Sequence, residues 1–228
     1  MIRLVFSLLL LSSIHQIWAQ SLIDTAGAMV RSDTSEQSIY LCFTGHEYYD
    51  GFEHVLDILK KHNIQASFFL TGDFVRNHAD LVKKIDESGH FVGAHSDKHL
   101  LYCDWANRDS LLYTRDSIRQ DIRQNLQSLA DLGIYPDYFM PPYEWYNQQV
   151  VEIARELQQL TVNYSSGTRS NADYTTPEMP NYISSADILN SIVEYERQEG
   201  LNGFHLLIHP GTNPLRTDKL YLHLDKLL

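Results

Sequence analysis

Short apolar blocks alternate along this chain with stretches of helical period. Ile39-Tyr40-Leu41-Cys42-Phe43 is an unbroken apolar run, the pattern of a strand buried on both faces. Val55, Leu56 and Leu59 then recur at helical spacing and predict a helix over 52–62. Ala66 to Leu70 reads as the next strand, followed by a helix over 80–88 that Gly89 ends as a C-terminal cap. Phe91 to Ala94 is a third strand, and an irregular stretch runs on through Asn107. Thr114 caps and Gly133 stops a helix over 116–132. Tyr138-Phe139-Met140 is a short strand stopped by Pro141-Pro142, with a helix near 148–157 and a strand over 161–164 after it. Ser184-Ser185-Ala186-Asp187 opens another helix, 204–208 is the last clear strand, and 217–228 the last helix.

Strict alternation of about six strand–helix units calls for parallel strands joined by right-handed crossovers. The expected fold is therefore α/β, a distorted (β/α) barrel of about six to seven units, incomplete against the usual number of about eight. A doubly wound open sheet is the main rival. No G-x-G-x-x-G follows the first strand, which disfavours its dinucleotide-binding version.

The first residues change the picture of where the protein works. Arg3, the apolar stretch Leu4 to Ile14 and the small Ala19 before Gln20 form the pattern of a signal peptide over 1–19, too short to span a bilayer comfortably. Residues 20–37 are a polar lead-in and 38–228 a single domain. An exported protein is expected, periplasmic or extracellular, with no membrane span after processing. The net charge of −11 argues against nucleic acid or an anionic membrane surface as partner. Fourteen tyrosines and three tryptophans are compatible with sugar stacking, although a core uses the same residues. Cys42 and Cys103 either pair or stand as two buried thiols; spacing does not choose between them.

Residues just after the strands of such a barrel share one face, the face that hosts active sites. Here they are His46, Glu47 and Asp50, then Thr71 and Asp73, then His95, Asp97 and His99. Tyr143 and Glu144, Arg169 and Asp173, and finally His209 complete the set. His95 and His99 stand four residues apart at a strand end, so two neutral imidazoles can converge on one divalent metal if the loop turns tightly. Loop polarity is common, and only the histidines and one or two carboxylates are candidate site members.

Several of these segments resemble the NodB-type polysaccharide deacetylases, carbohydrate esterase family four. The strand 38–43 resembles the lead into that family's first motif, and Val55 to Gly72 its following helix and strand. Gly89-His90 with His95-Ser96-Asp97-Lys98-His99 resembles the second motif and Pro141-Pro142-Tyr143 the third. Asp173-Tyr174 and Leu207-Ile208-His209 resemble the fourth and fifth, so the likeness covers nearly all of the mature chain in order. The resemblance implies that His95 and His99 bind a divalent metal, commonly zinc. It makes His209 the general acid, Asp173 the residue that orients it, and the Tyr143 backbone N–H an oxyanion donor. The implied activity is metal-dependent removal of acetyl groups, N-acetyl or O-acetyl, from a peptidoglycan, chitin-like or xylan-like glycan.

The departures are concentrated in the first motif. Where the family has Thr-Phe-Asp-Asp-Gly, with a base and a metal ligand, this chain has Cys42-Phe43-Thr44-Gly45-His46. Met140 stands for the family's arginine in the third motif and Glu144 for its glycine, and the chain stops at Leu228 in a helical pattern where the family continues into a strand. Two readings follow: Glu47 supplies the missing ligand and Asp50 the base, or hydrolysis is lost and a glycan-binding relative remains.

Overall fold

The computed structural model describes residues 21–228, so the signal-peptide expectation lies outside the described residues. The strands are β1 (Leu22–Ile23), β2 (Met29–Arg31), β3 (Ile39–Gly45), β4 (Ser67–Leu70), β5 (Phe91–Ala94), β6 (Tyr138–Phe139), β7 (Leu160–Thr161) and β8 (Phe204–Ile208). The helices are α1 (Phe52–His62), α2 (Gly72–Asn77), α3 (Ala79–Glu87), α4 (Arg115–Ala130), α5 (Gln148–Glu156), α6 (Ser185–Glu199) and α7 (Leu224–Leu227). One eight-stranded sheet runs in the order β1-β2-β8-β3-β4-β5-β6-β7. Its six strands from β8 to β7 are parallel, while β1 and β2 attach antiparallel. A parallel bridge between Met29 and Val162 brings the chain beyond β7 against β2, and the sheet curls back on itself as a distorted, incomplete barrel.

The central strands are apolar throughout because both of their faces are covered. Phe43, Phe68 and Leu70 pack outward against Phe52 and Leu59 of α1 and Phe74 of α2, all fully buried. Alternate residues Cys42, Phe69 and Leu207 turn inward and meet Met140 and Val162 in a second, smaller core. Parallel register, with Cys42 opposite Ser67 and Leu207 and Phe68 opposite Val92, aligns the C-terminal ends of β3, β4, β5 and β8 on one rim.

The sequence pattern differs from the structure in four places. The lead-in contains β1 and β2, held at their turn by the Asp24 side chain accepting from the Ala26 and Ala28 N–H groups. α2 is an extra helix, capped by Thr71, whose hydroxyl accepts from Phe74 N at 3.1 Å. The strand expected over 161–164 forms ladder pairs only at Leu160–Thr161. The last helix is much shorter than its pattern, a single 3₁₀ turn at Leu220–His223 running into α7. Both cysteines are free and buried, and burial pushes the Cys42 thiol up to about 12.

Candidate active site

The strand ends on that rim open into a cleft of about 480 Å³. His46 follows β3, His95 and His99 follow β5, Tyr143 and Glu144 follow β6, and His209 follows β8.

His95 forms the floor and is 1% exposed. Its N–H donates to Asn125 Oδ1 at 2.8 Å, and Asn125 in turn donates to the Leu70 carbonyl, so α4 fixes the end of β5. Its ring Nδ1 lies 2.7 Å from the Met140 carbonyl, which places the proton there and leaves Nε2 with a lone pair. His99 sits at φ +54, held by its N–H on Ser96 Oγ at 3.0 Å. The His99 ring lies 5.0 Å from that of His95 and 4.5 Å from that of His46, onto which it stacks. Burial first, and neighbouring imidazoles after it, push the His95 imidazole down to about 3 and His99 to about 2, with the Met140 carbonyl opposing the shift at His95. His46 is lowered by burial as well, against the opposing charges of Asp73 and Glu47. All three are neutral lone-pair donors at neutral pH.

Across the cleft, Asp173 uses both carboxylate oxygens on one residue. Oδ2 accepts from the His209 N–H at 2.8 Å and Oδ1 lies 2.6 Å from Nδ1. Burial works against a charge on His209, but the Asp173 carboxylate outweighs it and the imidazole pKa is raised. Asp173 rides on a short 3₁₀ turn, Ser170–Tyr174, secured from behind by the fully buried Arg216. That guanidinium donates to the carbonyls of Thr175 at 2.6 Å and Ile183 at 3.1 Å.

Tyr143 and Glu144 occupy successive left-handed positions, φ +59 and +52. Two such non-glycine residues in a row are strained and fix the direction of both side chains. Burial raises the Glu144 carboxyl to about 7, with Asp173 adding to the shift and His209 opposing it. Trp105, Tyr174 and Met179 complete the walls. The sequence pattern did not single out Trp105, which lies in the irregular stretch after β5 with no periodicity to mark it.

Of the carboxylates expected to rebuild the first motif, Glu47 lines the cleft and Asp50 does not. Asp50 faces away from the cleft: Oδ2 accepts from Tyr221 Oη at 2.6 Å, Oδ1 from Thr212 N at 3.2 Å, and Lys219 lies 3.4 Å away. Asp50, expected as the base, is engaged by these contacts, which clamp the entry of α1 to the C-terminal segment. Glu47 lines the cleft but is exposed at the rim, bonded to its neighbour Tyr48. Asp73 and Asp97 are joined by Arg76, at 2.7 and 2.6 Å, in an ion-pair group behind the strand ends.

In donor chemistry the floor fits a divalent metal, since neutral imidazoles with one ring nitrogen anchored are what such an ion takes. In placement it offers His95 and His99 as a pair; among the described residues no three His, Cys, Asp or Glu side chains are arranged to hold a metal. Gly45 cannot carry the family's ligand in this packing, because a Cβ there would lie 2.8 Å from Leu70 Cδ2 and 2.8 Å from Phe52 Cζ.

The buried His95 makes the fold acid-sensitive. Its pKa is depressed on folding from about 6.5 to about 3, so its contribution is complete above pH 6.5 and is lost as pH falls towards 3. The expected loss is about 1.4 kcal/mol per pH unit. Urea unfolding of the wild type and His95→Gln between pH 7 and 4 checks it; parallel curves would show that His95 is protonated in the fold.

Comparison with known proteins agrees with this fold. The polysaccharide deacetylase family profile matches residues 31–162. An uncharacterized protein of Bacillus subtilis, YlxY, is 34% identical over 170 residues, 75% of this chain and 46% of its own. The peptidoglycan-N-acetylmuramic acid deacetylase PdaA of the same organism is 31% identical over 148 residues, 64% of this chain and 53% of its own. The chain thus spans about half the length of these curated relatives. Among solved structures, PdaA superposes with a TM-score of 0.68 at 23% identity, covering 95% of this chain and 80% of its own. A CE4 family pseudoenzyme from Bacillus anthracis superposes with a TM-score of 0.70 at 20% identity, covering 90% of this chain and 63% of its own. The chain belongs to the polysaccharide deacetylase family, as a divergent member without the paired aspartates of the family's first motif.

Proposed function

We propose that the protein is an exported hydrolase that removes acetyl groups from an amino-sugar glycan, using a histidine-rich version of its family's site. One observation carries this reading: a cluster of imidazoles, His95 buried and His46 and His99 half-buried, opens with the His209–Asp173 pair onto the same cleft. Perturbed groups of complementary kind gathered in one cleft are the arrangement that acid–base and metal chemistry requires. His95 and His99 would hold a divalent metal such as zinc, which supplies polarisation of the acetyl carbonyl and acidification of water. His209 carries its transferable proton at Nε2, because Nδ1 is bonded to Asp173, and gives it to the leaving amine. The Tyr143 N–H is the proposed donor to the developing oxyanion. Relatives named as peptidoglycan deacetylases support an acetylated cell-wall or chitin-like glycan as substrate.

A second reading, a glycan-binding protein without hydrolysis, is favoured by Thr44 and Gly45 standing in place of base and ligand. Metal content and acetate release separate the two. Purified protein is expected to retain about one divalent ion per chain, and His95→Ala to retain none, with acetate released from N-acetylated chito-oligosaccharides or peptidoglycan fragments by the wild type alone. Oligosaccharide binding with neither metal nor acetate would establish the second reading.

A further inference from the structure

The charges that line the cleft say which glycan it takes. Among the described residues no lysine or arginine lines it, whereas two carboxyls do, Glu47 at the rim and Glu144 within. The His209 imidazole is already engaged by the Asp173 carboxylate, and His46, His95 and His99 are uncharged acceptors. A ligand with carboxylates or phosphates would find no cationic partner here and would face Glu144.

Glu144 is unusual within this set. Among the described residues no hydrogen bond or ion pair engages its carboxylate oxygens; its bonds are main-chain ones, the N–H donating to the Pro141 carbonyl at 3.1 Å and the carbonyl accepting from Asn163 Nδ2 at 3.3 Å. It is nonetheless held in place by the left-handed backbone at Tyr143 and Glu144. A carboxyl half-buried in the cleft, fixed in direction and with no hydrogen-bonded partner of its own is set to receive a cation from outside the chain. The walls suit the same ligand. The Trp105 ring lies 5.8 Å from Tyr143 at a steep angle and Tyr174 lies 5.7 Å from His209, so exposed aromatic rings line the same cleft as the carboxyl. Aromatic faces attract ammonium as well as stacking on sugar rings.

We infer that the cleft selects glycans bearing free amino groups, with the Glu144 carboxylate as partner of the ammonium. The inference rests on the proposed function only in taking a glycan as the ligand. Glu144 also lies close enough to His209 for their charges to interact, so an amine protonated by His209 meets its counter-ion where it forms.

Trp105 in the wall allows binding to be read by intrinsic fluorescence within seconds of mixing, before turnover. The probes are a glucosamine hexasaccharide, the N-acetylglucosamine hexasaccharide and a hexagalacturonate at one ionic strength. The free-amine probe is expected to bind roughly tenfold more tightly than the acetylated one, as one charge-assisted contact provides, and the uronate not to bind. Glu144→Gln and Glu144→Gly, the second of which suits the positive φ, are expected to abolish that preference while leaving affinity for the acetylated probe within about twofold. Glu199→Gln, outside the cleft, is expected to change none of the three, which separates the site from general attraction to an acidic protein. A wild type that favours the acetylated or the uronate probe, or a preference that survives both Glu144 variants, overturns the inference. Acetate release from the acetylated hexasaccharide reads the proposed function separately, so either idea can fail alone.

Discussion

Asp173→Asn is expected to cut acetate release by roughly two to four orders of magnitude, the range seen when the carboxylate behind a catalytic histidine is neutralised. Asp173 holds His209 twice, through the main-chain N–H and through Nδ1. The first contact tolerates an amide oxygen, so the loop and the strand end should keep their places. The second does not. Asparagine has no charge to offset the burial that opposes an imidazolium, and its amide nitrogen can turn towards Nδ1 and reverse the tautomer. The proton that the leaving amine needs at Nε2 is then lost or misplaced. His209 is raised in the wild type by Asp173 against burial, so in the variant it is expected to titrate below its ordinary value. Acetate release against pH, together with the His209 ring resonance followed by NMR, checks both halves. Activity within threefold of wild type with a lowered titration would show that His209 is not the acid. An unchanged titration would show that Asp173 does not set it.

How much of this was legible in the sequence depended on whether a feature is local. α1 and β8 were readable to the residue because each carries one clean period, helical over Phe52–His62 and continuous over Phe204–Ile208. β1 and β2 were not, since strands of two and three residues have no period and exist through pairing with each other and with Phe204. His95, His99 and His209 were placed correctly on one rim because strand ends are readable and a parallel barrel gathers them. The contacts of Asp50 were not legible for the opposite reason. Its nearness in sequence to His46 suggested a shared site, while its side chain is taken by Tyr221, 171 residues away. Glu144 was legible as a strand-end residue and as a departure from a glycine; that it shares the cleft with His209 comes from the fold of the whole rim.

Restoring the first motif should succeed at one position and fail at the other. Gly45→Asp is expected to destabilise the protein by about 3 kcal/mol or more, from overpacking together with a carboxyl set among apolar groups. The Cβ alone would approach Leu70 Cδ2 and Phe52 Cζ to 2.8 Å and Phe74 Cε2 to 3.1 Å. Those three side chains are fully buried between β3, α1 and α2 and have no room to withdraw. Thr44 lies on the other face of β3, lining the cleft, and its buried hydroxyl has no hydrogen-bond partner. A carboxylate there gains water on the cleft side and the neighbouring imidazoles as partners, so Thr44→Asp is expected to cost under about 1 kcal/mol. It is also expected to raise metal retention, because the cleft would then hold a carboxylate beside its neutral nitrogen donors. Thermal unfolding and metal content of the two variants, compared side by side, decide the matter. Gly45→Asp folding as stably as wild type would mean that the aromatic wall behind β3 is movable, and that the absence of the second aspartate has another cause than packing.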